Sequence, residues 1–209
     1  MNRDDYIELV NWYGGFYELA IEYVPKGDDE RLLKAIAAIW GSPLLTGPWQ
    51  DRNQFGEASF LPDSLEFDSD NHLYGVLELP NRQSLGCLTV LVRESDDSDS
   101  TDRVDFCIPT GMLDLVFPVS YPLARSDNPW MKLIDPILLS LAERVYQASP
   151  FDMASIGEEV SGNPRRSTLS ESTLVHGGIV LPSAFAKTFA ASNAAIALPS
   201  GLHWFPPSD

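Results

Sequence analysis

Two cysteines (Cys87, Cys107), three histidines (His72, His176, His203) and an acidic run from Glu94 to Asp102 are the residues of this chain best suited to chemistry. A structural zinc site needs closely spaced Cys and His ligands, and neither CxxC nor H-E-x-x-H occurs. The acidic run has the carboxylate density of a calcium loop, with Asp96, Asp97 and Asp99 inside it. Counted from Asp97, however, no glycine stands at the sixth position and Ile108 replaces the chelating Glu at the twelfth. The run at Asp68 and Asp70 fails in the same way, with Leu73 and Leu79 at those two places. Neither phosphate-cradling glycine motif is present, so no cofactor and no metal are expected. Nucleophile motifs G-x-S-x-G and S-x-x-K are absent too. Ser183 lies four residues before Lys187, and His176 precedes Gly177-Gly178, which reads as a turn before a strand. No catalytic residue can be assigned.

Aromatic residues are the other unusual feature. Trp12, Tyr13, Phe16 and Tyr17 cluster early, and Trp40, Trp49 and Phe55 flank a connection rich in Pro and Gly. Rings in such a segment either staple a long loop to the core or stand at a binding surface. On the second reading Trp49 and Phe55, together with Asp96, Asp97 and Asp99, are the candidate partner-binding residues.

The elements that position these groups follow from periodicity. Phe16 to Tyr23 alternates Tyr17, Leu19, Ile21 and Tyr23 against Glu18 and Glu22, which predicts a half-buried strand with both glutamates on its polar face. Asp28 to Trp40 predicts an N-capped amphipathic helix stopped by Gly41 and Pro43. Residues 42 to 72 read as a connection. Leu73–Leu79, Leu85–Glu94, Val104–Ile108 and Leu113–Phe117 read as strands joined by short polar loops, hence antiparallel. A hairpin centred on Asp97 sets Leu88, Val90 and Val92 beside Phe106 and Val104 on the core face, and Cys87 across from Cys107. Trp130 to Ala148 is a helix containing Pro136, Asp152 to Val160 a second short helix, and Ser161 to Ser172 a polar loop. Val175–Leu181 reads as a strand, Pro182–Ala191 as a helix and the tail as extended. The expected fold is therefore α+β: a mainly antiparallel sheet of about five or six strands, helices packed on it, and strand–helix units near both ends. One domain spans residues 1–209, with a weak boundary in the loop 161–172.

Thirty acidic against fourteen basic residues give a net charge of −16, with 44% hydrophobic residues enough for a packed core. That charge excludes unaided binding to nucleic acid or an anionic membrane. No signal-like or membrane-length apolar run occurs, so a cytoplasmic protein is expected. Two function classes remain. One is an acidic binding or inhibitor-type protein docking on a basic protein partner, its carboxylates steering encounter. In size, charge and layout the chain is similar to bacterial immunity proteins against toxic nucleases, although no motif carries the likeness. The other is a small enzyme whose catalytic residues are dispersed and leave no local motif.

Overall fold

The computed structural model describes residues 1–65, 72–94, 100–190 and 194–207. Its centre is strand β1 (Phe16–Tyr23), which follows the Gly14-Gly15 bend and is buried along nearly its whole length. Around it stand β2 (Leu45–Trp49), β3 (His72–Glu78), β4 (Ser84–Arg93), β5 (Asp102–Pro109), β6 (Met153–Glu158), β7 (Ile179–Pro182), β8 (Ile196–Ala197) and β9 (Leu202–Phe205). They form one antiparallel sheet in the order β2-β3-β4-β5-β1-β6-β7-β9-β8. The α+β class with an antiparallel sheet holds. The nine strands exceed the expected five or six, because β6 stands where a helix is expected and the short β2, β8 and β9 lie outside the segments that read as strands, β2 and β8 at the two edges.

Two helices cover one face. In α2 (Asp29–Trp40) the Asp28 side chain caps the first turn by accepting from the Arg31 amide at 3.1 Å, and Leu32, Ala35, Ile36 and Ile39 turn inward. Helix α4 (Met131–Ala148) lies against α2 and contributes Ile134, Leu138, Leu141 and Val145. Beneath them Leu19, Ile21, Leu77, Leu85, Cys87, Val104, Phe106 and Ile108 form one continuous apolar layer. Each such fully buried side chain contributes about 1.5–3 kcal/mol of transfer free energy. Trp40 lies so close over Gly75 that a Cβ there would clash with the indole, so a larger residue would push the ring out.

Three expected elements come out differently. Leu113–Phe117 is not a strand: helix α3 (Thr110–Asp114) takes Met112 and Leu113 together into the core, which successive strand residues could not do on one face. Asp152–Val160 is not a helix but β6, where Met153 to Ile156 are all buried because both faces of this strand are covered. Between Glu171 and His176 the chain forms helix α5, capped by Ser170 through the Thr173 amide, and the strand β7 starts only after Gly177 and Gly178 at φ +79°. The last expected helix is the short α6 (Ser183–Ala186).

The β4–β5 hairpin is slipped by one residue from the expected register. Leu88 pairs with Cys107, Leu91 with Val104 and Arg93 with Asp102. A slip of one turns every side chain over. Cys87 therefore faces the helices and Cys107 the opposite side; both are free thiols. Strand β4 carries apolar residues on both faces, so matching apolar to apolar does not choose between the registers. The Arg93–Asp102 ion pair, at 2.8 Å, fits the observed one.

Candidate functional site

The face of the sheet away from α2 and α4 changes character along its width. At the β2–β3 end a small apolar cluster of Tyr6, Trp49 and Val76, with Trp12 and Phe55 against it, holds the N-terminal helix α1 (Arg3–Ile7) and the 3-10 turn Leu9–Trp12 on the sheet. At the β6–β7–β9 end Met153, Ile179, Leu181 and Phe205 pack under Leu174 and Ala186, from α5 and α6. Between these ends polar side chains enter, Glu18 and Glu22 on β1, Arg103, Asp105 and Cys107 on β5, and Ser155 on β6, beside Ala20, Leu88 and Val90.

The polar loop after β6, residues 159–168, closes over this middle. The Glu159 amide donates to the Phe16 carbonyl at 2.9 Å. Glu18 then accepts from the Ser161 amide at 2.7 Å, from the Ser161 hydroxyl at 2.8 Å and from the Cys107 thiol at 3.4 Å. Further along, the Arg166 amide donates to Glu22 at 3.1 Å. Arg165 and Arg103 both reach Glu94 at 3.0 Å. Gly162, at φ +74°, lets the loop pass so close to Arg103 that a Cβ would stand 2.9 Å from its guanidinium. The glutamates that alternate outward in the sequence are thus buried by a loop some 140 residues later.

Asp105 is the least compensated of these groups. Arg103 Nε approaches one carboxyl oxygen only to 3.6 Å, and the other oxygen, Oδ1, has no hydrogen-bond partner among the described residues. Burial, with the neighbouring Glu18 adding to it, pushes the Asp105 carboxyl up to about 6, against the opposing pulls of Arg103 and the Ser161 side chain. Burial likewise raises Glu22. The Cys107 thiol is pushed well up by burial first and then by Glu18 and Asp105, so it stays protonated at neutral pH and is a poor nucleophile.

A cavity of about 380 Å³ opens beside the loop, walled by Phe16, Glu18, Val90, Asp105, Cys107 and Glu159. Phe16 also lines a second cavity, of about 200 Å³, with Leu9, Tyr13, His72, Tyr74 and Leu88. The open stretch of this face thus runs from an aromatic end to an acidic one.

Other polar groups are engaged elsewhere. On the helix side Asp135 accepts from Tyr17 at 2.5 Å and from Arg125 at 2.6 Å, a complete pairing. The Ser183 hydroxyl donates to the Gly201 carbonyl at 2.6 Å and lies 3.0 Å from His203 Nδ1. His72 lies 3.2 Å from the Tyr74 hydroxyl. Among the described residues no group of three or more His, Cys, Asp or Glu is placed to hold a metal ion, and no helix is long and apolar enough to cross a membrane.

Of the residues singled out from sequence, Trp49 is buried and donates to the Glu57 carbonyl at 3.1 Å, and Phe55 is half-buried against it. Both secure the segment that carries α1. Asp96, Asp97 and Asp99 lie outside the described residues. Glu18, Glu22 and Asp105 went unnoticed in the sequence because alternation on a strand is the signature of a wet face. Comparison with protein-family models, curated proteins and solved structures found no match. What fold and site define together is an α+β protein with one apolar sheet face and one face bearing buried carboxylates.

Proposed function

We propose that this protein is a binding protein of inhibitor type that docks on a basic protein partner. The observation that carries the reading is how the charges divide between inside and outside. Eight of the fourteen Lys and Arg are half-buried, leaving Arg3, Lys34, Arg82, Lys132, Arg144 and Lys187 exposed. Of the twenty-three described Asp and Glu, fifteen are exposed. Five of these inward cations pair with carboxylates: Arg31 with Asp152, Arg93 with Asp102 and Asp29, Arg103 and Arg165 with Glu94, and Arg125 with Asp135. The outer surface is therefore more one-sided than the composition, which favours fast encounter with a positive surface.

The N-terminal segment has the anatomy of a contact patch. Leu9, Val10 and Tyr13 are 46%, 59% and 57% exposed, and Asp4, Asp5 and Glu8 precede them. An apolar centre with a charged rim is the usual make-up of a protein interface.

The test is capture of partners from the native host by the immobilised protein at low salt and at about 0.5 M salt, where the Debye length shrinks to a few ångströms. Expected is an identified partner of net positive charge that is released by salt and lost on Asp4→Lys with Glu8→Lys. A partner that withstands the salt and the charge reversal would overturn the reading.

A further inference from the structure

We infer that the cavity of about 200 Å³ walled by Trp12, Tyr13, Phe16, Arg52, Tyr74 and Leu88 is a binding site for a single-ring aromatic acid. Its walls come from the N-terminal 3-10 turn, a second 3-10 turn at Arg52–Gln54, and strands β1, β3 and β4. The residue that sets it apart is Arg52. Acids outnumber bases by thirty to fourteen, and five other half-buried arginines pair with carboxylates. The half-buried Arg52 side chain nevertheless makes no hydrogen bond and no ion pair among the described residues. Its guanidinium stands instead 5.8 Å from the centre of the Trp12 ring. A cation taken partly out of water without a counter-charge is unfavourable, and an anion that reaches it recovers that cost. Arg52 can be reached: Nη1 is closed off inside the protein, but Nε and Nη2 are not. Those two nitrogens form the side of the guanidinium that a carboxylate bridges with two parallel hydrogen bonds.

The remaining walls specify the body of the ligand. Trp12 and Tyr74 meet edge to face at 5.2 Å, and Tyr13, Phe16 and Leu88 complete an apolar surround. Walls of this kind hold a flat ring by stacked or edge-to-face contact. A cation, which aromatic rings also attract, is refused because the protein's own guanidinium already stands at Trp12. No carboxylate of the described residues lines the cavity, so the negative charge of the chain as a whole does not close it to an acid. Pockets for drug-sized molecules measure about 300–1,000 Å³, so this smaller one admits a single ring.

Leu9 and Tyr13, both largely exposed, edge the opening, so a ring enters from solvent without unfolding the sheet. The inference does not rest on docking at a basic partner, and the free chain is sufficient to test it.

The test follows the Trp12 indole N–H and the Leu88 backbone amide by NMR while benzoate, acetate, benzyl alcohol and benzylammonium are added in turn to the full chain at neutral pH. Expected are saturable shifts with benzoate. Benzyl alcohol, which lacks the charge, and acetate, which lacks the ring, should each bind at least about tenfold more weakly, and benzylammonium should give no saturable shift. Arg52→Gln should weaken benzoate by about tenfold or more, the loss of a charged hydrogen-bonding partner, and it removes no hydrogen bond of the fold. Tyr13→Ala, at the exposed rim, should weaken it by about two- to tenfold through the lost ring contact, which keeps the test open if the Arg52 variant is poorly folded. No saturable shift with benzoate, binding of benzyl alcohol or acetate as tight as that of benzoate, or unchanged affinity in both variants would overturn the site.

Discussion

The two faces of the sheet obey different rules although they share every strand. Under α2 and α4 the face is apolar from β3 to β9, and the buried Asp135 there has both oxygens bonded, to Tyr17 and Arg125. On the opposite face the apolar clusters stop short of the middle, where Glu18, Glu22 and Asp105 are buried beneath a polar loop. The contrast sharpens on a single strand. Asp102 and Asp105, both on β5 and both buried, have unlike surroundings. Asp102 accepts from Arg93 at 2.8 and 2.9 Å and from the Gly27 amide at 2.7 Å, whereas Asp105 has a bare oxygen and a loosely placed arginine. Asp102 ties β1, β4 and β5 together at their ends; Asp105 has only the longer pairing with Arg103 on its own strand.

Mutations can break this comparison at graded strength. The largest effect belongs to the helix face: Ile21→Ala leaves a cavity in the continuous core and should lower the unfolding free energy by about 2–5 kcal/mol in denaturant titration. A loss under about 1 kcal/mol would mean that this face is loosely packed. Next is Asp102→Asn, which withdraws acceptors from Arg93 and Gly27 and should cost about 1–3 kcal/mol by the same measurement.

Asp105→Asn, three residues away, should act in the opposite direction. The folded carboxyl titrates near 6 against an ordinary 3.8, so the native state holds its proton more tightly than the unfolded chain. That stabilisation is complete below the ordinary value and is lost as pH rises from about 4 to about 6. The amide mimics the neutral acid. The variant should therefore match the wild type below pH 4 and exceed it by about 2–3 kcal/mol at neutral pH, as read from paired denaturant titrations across that window. The smallest effect is at the surface, where Glu8→Lys should leave stability within about 0.5 kcal/mol.

How much of this was legible depends on whether a segment is wet on one side. Helix α2 came directly from periodicity because it has one buried stripe and one free one, and in β1 the polar row of Glu18 and Glu22 keeps the alternation visible although both faces are buried. Strand β6 did not, since burial on both faces erases alternation and leaves Met153 to Ile156 without a period. The slip between β4 and β5 arose for a related reason: Leu88, Val90 and Val92 are as apolar as Leu85, Cys87 and Leu91, and no local rule says which row meets the helices. The site was hidden more deeply. Glu18 and Glu22 alternate as a solvent face should, and only the loop 159–168 converts them into buried groups. Trp49 shows the converse, a ring that composition could not assign to surface or core and that the α1 cluster takes inside.

The most direct measurement is a carbon NMR titration of the Asp105 carboxyl in the full chain. Burial and the neighbouring Glu18 predict a midpoint near 6. A midpoint at the ordinary 3.8 would contradict a poorly compensated carboxyl buried on the second face.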